Sequence, residues 1–72
     1  MKGNVVITSK NDSLHKEALR TLEAAYDTGV IDKWSRVVTT NYIIWKFSHP
    51  EDAIDSAKQF MELGFEFVQR EV

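Results

Sequence analysis

The chain has no cysteine, one proline and three glycines in 72 residues. Without a thiol it can have no disulfide framework, zinc-thiolate centre or cysteine nucleophile, and its composition does not call for an oxidising compartment. So little proline and glycine argues against a disordered or low-complexity chain. No apolar run approaches the ~20 residues that cross a bilayer. The apolar stretch after Met1-Lys2-Gly3-Asn4 ends at Thr8, Ser9 and Lys10, short of what a signal peptide needs. The expected location is therefore the cytoplasm. A net charge of −2 gives no overall attraction to nucleic acid or anionic lipid.

What is present is ordinary globular composition, 43% apolar and 28% charged. Residues 1–72 are expected to form a single domain, because there is no room for a second core. A domain of this size buries roughly 60% of its unfolded surface and has a net stability of about 3–5 kcal/mol, so self-association would help it.

Asn4-Val5-Val6-Ile7-Thr8 is short, β-branched and bounded by polar residues, as expected of a strand buried in the middle of a sheet. Asn11, Asp12 and Ser13 can each cap a helix whose face is Leu14, Ala18, Leu22, Ala25 and Tyr26, with Leu19 beside it. Gly29 suits the left-handed position that closes this helix, with Val30 making the accompanying apolar contact. Arg36 to Phe47 is too long for one strand of usual length, and a reversal at Thr39-Thr40-Asn41 divides it into a hairpin. Ser48 and Glu51 have capping-box spacing around Pro50 and predict a second helix with Ala53, Ile54, Ala57, Phe60 and Met61 inside. Gly64-Phe65 repeats the closing pattern, and residues 65–72 partly alternate as an edge strand.

The order strand, helix, strand, strand, helix, strand predicts an α+β fold. It is the ferredoxin-like βαββαβ sandwich, two helices on one face of a four-stranded antiparallel sheet, with a three-stranded βαβαβ sheet as the alternative if the hairpin is wrong. In plan and length the chain resembles ferredoxin-like domains, including ACT-type ligand-sensing modules and RNA-recognition motifs. It departs from the first in having Ser9-Lys10-Asn11-Asp12 where a glycine-containing ligand loop would follow strand one. It departs from the second in having mainly Tyr42 where clustered aromatics would line strand three. Fold resemblance therefore carries no function here.

Two histidines and eleven carboxylates invite a search for acid-base or metal chemistry. His49, Glu51 and Asp52 crowd a helix start, where they serve capping and the helix dipole, and no H-E-x-x-H spacing exists. His15 falls near the polar side of its helix as a solvent-exposed residue, and Ser9 and Ser13 near Lys10 read as capping groups. No catalytic residue, metal ligand or cofactor is expected, and the chain is read as no enzyme.

Alternation places Ile43, Trp45 and Phe47 in the helix-covered core with Val5, Ile7 and Phe67. Val6, Tyr42, Ile44, Lys46, Val68 and Arg70 are then the partner-binding candidates, an apolar patch with a basic rim on the opposite sheet face. Trp34, in a loop, closes the core or anchors an interface. The first expectation is a small non-enzymatic regulator, adaptor or inhibitor working by protein-protein contact, such as a phage-type inhibitor of a host protein, with another protein or a second copy (a homodimer) as partner. The alternatives are single-stranded RNA or DNA stacked on Tyr42 with Lys46 and Arg70 on the phosphates, and a small enzyme with its site at a dimer cleft.

Overall fold

Five elements follow one another in this computed structural model, which describes residues 4–67. They are strand β1 (Val5–Ser9), helix α1 (Asp12–Asp27), strand β2 (Trp34–Val38), strand β3 (Tyr42–Phe47) and helix α2 (Pro50–Leu63). The strands form one antiparallel sheet in the order β1-β3-β2.

The fold is α+β with the expected hairpin. Among the described residues the sheet has three strands, which corrects the four-stranded sandwich, and the order β1-α1-β2-β3-α2, with β2 and β3 joined as that hairpin, corrects the βαβαβ alternative. Where the last strand was expected, the described residues give a single bridge, Thr8 to Phe67, beside which the Ser9 amide donates to the Glu66 carbonyl at 2.8 Å. The reason lies at the end of α2. Gly64 turns the chain at φ 104° and the next residue, Phe65, is buried against Phe60 and Trp45. Phe65 thus plugs the core instead of starting a ladder. Residues 68–72 lie outside the described residues. β1 is also not central; β3 is.

The hairpin closes without a glycine. Among the described residues no non-glycine residue has positive φ, so a type I′ turn is not formed. The Thr39 amide donates to the Tyr42 carbonyl at 2.8 Å, and the Thr39 hydroxyl accepts the Tyr42 amide at 2.9 Å in place of a backbone carbonyl.

Helix α1 starts where Asn11 caps it, its side-chain oxygen accepting the Leu14 amide at 3.1 Å. Gly29, at φ 80°, lets the chain leave it, but the apolar contact belongs to buried Ile31, and Val30 is exposed. Helix α2 starts with Pro50 after His49. The Ser48–Glu51 capping box does not form, because the Ser48 hydroxyl donates to the Lys33 carbonyl at 2.8 Å.

Both helices meet Trp45. The His15 ring of α1 stands edge-on to it at 5.7 Å and Phe60 of α2 is tilted against it at 4.7 Å, so the helices share one sheet face. Ala18 and Leu22 of α1 and Ala53 and Phe60 of α2 complete the core with Ile43, Phe47 and Ile31. Trp34, the first residue of β2, packs on this cluster 6.3 Å from Trp45, which settles its place as core. Tyr26, Ile54 and Met61, expected inside, are exposed. The inner face of α2 is turned toward Asp52, Ala53, Ser56 and Phe60.

Candidate functional site

One buried polar pair decides what the outer face of the sheet presents. The indole N–H of Trp45 donates to the Thr8 hydroxyl at 3.0 Å, with both side chains fully buried. An unpaired indole N–H in this core would be costly, so Thr8 must face inward. Alternation then brings Val6 inside with it, 8% exposed, and turns Val5, Ile7 and Ser9 outward. Val6 therefore lies on the helix-covered face and not on the outer face where the alternation of the sequence placed it, and Val5 and Ile7 are not the core residues of β1. Phe67, the partner of Thr8, does pack against the core as expected.

The outer face is ordered by strand register into three rows. Val5, Lys46 and Ser35 form the first; Ile7, Ile44 and Val37 the second; Ser9 and Tyr42 the third. The middle row is apolar across all three strands. Ile7 and Ile44 in this row are half-buried, whereas Val37 at its end and Tyr42 in the third row are 45% and 43% exposed. Of the candidates read from the sequence, Tyr42, Ile44 and Lys46 lie together on this face, and Val68 and Arg70 lie outside the described residues. Val5, Ile7 and Val37 are the members that the sequence reading missed. The signal for the first two was the need of Trp45 for an acceptor.

A second polar cluster joins the α1–β2 connection to the start of α2. The Asp52 carboxylate accepts the Asp32 amide at 3.0 Å, Asp32 accepts the Lys33 amide at 2.7 Å, and His49 Nε2 lies 3.2 Å from Asp32. The Lys33 amide first, and His49 after it, hold the Asp32 carboxyl below the usual carboxylate range. An open depression lined by Tyr26, Val30, Asp32, His49 and Asp52 lies over this cluster. The carboxylates of Asp32 and Asp52 are occupied in holding the loop. Among the described residues, no group of three or more His, Asp or Glu side chains is placed to hold a metal ion.

His15 corrects another expectation. It is half-buried against Trp45, and its Nε2 is enclosed without a hydrogen-bond partner among the described residues. Desolvation, followed by the Arg36 charge, lowers its pKa below 6.5. Within the described residues, no helix is long and apolar enough to cross a membrane. Comparison with protein-family models, with curated proteins and with solved structures gives no match.

Proposed function

We propose that this chain is a small, non-enzymatic, cytoplasmic binding module that acts by docking the outer face of its sheet on another protein, as a regulator, adaptor or inhibitor would. The observation that supports this is the apolar row Ile7-Ile44-Val37, which no helix among the described residues covers and which ends in an exposed valine. A partner of matching chemistry has apolar side chains for that row, a carboxylate for Lys46 and a hydrogen-bonding group for the Tyr42 hydroxyl. Nucleic acid is the weaker reading. Trp45 and Phe47 are buried in the core, and Tyr42 and Lys46 are the only aromatic ring and cation in the three rows, too few for a stacking platform along a phosphate backbone.

The test captures partners on immobilised chain with and without nuclease, and then titrates the purified captured protein. Ile44→Asp, checked for folding by circular dichroism, is expected to weaken binding by about 30-fold or more, as loss of a central anchor does. Met61→Asp, on the exposed side of α2, is the control expected to bind normally. Equal binding by both variants would remove the sheet face from consideration, and capture that disappears with nuclease would put nucleic acid first.

A further inference from the structure

The free edge of the sheet carries more information than its exposure. Among the described residues, β2 pairs with β3 alone, and four of its five residues are exposed. Its hydrogen-bonding direction follows from the hairpin. Because the Thr39 amide bonds to the Tyr42 carbonyl, alternation makes Val37 and Ser35 face β3 with their backbone groups, while Arg36 and Val38 point theirs away from the sheet. Two outward amide and carbonyl pairs thus flank Val37, whose side chain is on the outer face.

We infer that β2 pairs antiparallel with β2 of a second copy of this chain, about a two-fold axis at Val37. In this register Arg36 of each copy lies opposite Val38 of the other, and each pair exchanges two N–H···O bonds. The two Val37 residues form the close, non-hydrogen-bonded pair, with Cα atoms about 4.5 Å apart. Charge and apolar matching select this register among those that the outward groups allow. An axis at Arg36 would set two guanidinium groups directly opposite each other. An axis at Ser35 would join two serines and interrupt the apolar row, and one at Val38 would leave Arg36 facing the turn residue Thr40.

With the axis at Val37 the row becomes Ile7-Ile44-Val37-Val37-Ile44-Ile7, six apolar side chains in line across a six-stranded sheet. A second copy fits because the surface is self-complementary, as an isologous interface requires. The edge strands have five residues each, against roughly 20–30 residues a side in a standard stable interface, so the dimer dissociates on dilution. This inference concerns the edge of the sheet; it shares Val37 with the docking face but does not require a partner on that face.

Absence of native cysteine provides a clean test. Single variants Val37→Cys, Ser35→Cys and Val38→Cys are oxidised mildly at several hundred micromolar, and wild type and Val37→Asp are followed by sedimentation equilibrium. Val37→Cys is expected to form a covalent dimer at least about tenfold faster than the other two, because only that pair falls within disulfide reach. Wild type should show a reversible dimer that Val37→Asp abolishes while keeping its circular dichroism spectrum. A wild type that is monomeric up to about 1 mM, or equal cross-linking at all three positions, would overturn the inference. A monomeric wild type that still binds its partner through Ile44 would leave the docking proposal standing.

Discussion

Adjacent residues of β3 live in opposite surroundings. Ile43, Trp45 and Phe47 are buried under α1 and α2, whereas Tyr42, Ile44 and Lys46 point to a face that no helix among the described residues covers. The inner side is closed by rings at 4.7–6.3 Å from Trp45 and by one hydrogen bond to Thr8. Among the described residues the outer side is ordered by its cross-strand neighbours. The difference shows that one strand supplies both the fold and a surface available for contact, and that the side taken by each residue of β1 is settled by a polar requirement as much as by hydrophobicity.

The largest effect is expected from breaking the inner side outright. Trp45→Ala removes the ring on which both helices converge and should cost about 3–5 kcal/mol. That approaches the whole stability of a domain this small. Loss of the helical circular dichroism signal at 25 °C is the check, and a cooperative unfolding transition near that of wild type would contradict it.

Thr8→Val sharpens the comparison, because it makes β1 more apolar yet leaves the Trp45 indole N–H buried without an acceptor. A loss of about 1–3 kcal/mol in urea unfolding is expected, and Thr8→Ser should recover part of it. A more stable valine variant would mean that the indole finds another partner. Gly64→Ala tests how the chain is returned from α2 to the core. An added Cβ there meets nothing within 4 Å, so the expected cost of about 1–2 kcal/mol comes from φ 104° alone. Replacing Thr28 by alanine just before the first helix's glycine, where only hydroxyl bonds to the Ala24 and Ala25 carbonyls are lost, should cost less.

The smallest effect should be seen with pH. His15 has a folded pKa below 6.5, so the unfolded chain binds its proton more readily. Its contribution is therefore fully present above about pH 6.5 and is lost as pH falls through the lower folded value. His15→Phe keeps a ring against Trp45 and should flatten the urea midpoint across that window. Asp32, held below 3.8, acts in the same direction but only at more acid pH.

Much of the fold was legible in local sequence. Asn11 at a helix start, Pro50 at the other, glycines at both helix ends and two β-branched pairs around Thr39-Thr40-Asn41 are signals that act within a few residues. What escaped depends on contacts between distant residues. Thr8 and Trp45 are 37 positions apart, and Val5-Val6-Ile7-Thr8 alternates acceptably in either orientation until that bond is known. The rotation of α2 escaped for the same reason. Asp52 is drawn inward to accept the Asp32 amide 20 residues away, which turns Ile54 and Met61 outward. The outer face was half legible. Tyr42, Ile44 and Lys46 follow from alternation within β3, whereas Val5 and Ile7 depend on the Thr8 pairing and Val37 on the register of β2.

The same substitution at two neighbouring residues tests the division of the sheet most directly. Urea unfolding of Ile43→Thr and Ile44→Thr compares a residue with no exposure against its neighbour on the outer face. Ile43→Thr is expected to lose about 2–4 kcal/mol, from the cavity and the buried hydroxyl together. Ile44→Thr, on a pleated surface that suits threonine, should lose about 1 kcal/mol or less. Losses of equal size would mean that the outer face is covered as closely as the inner one, and that it is not a surface free for a partner.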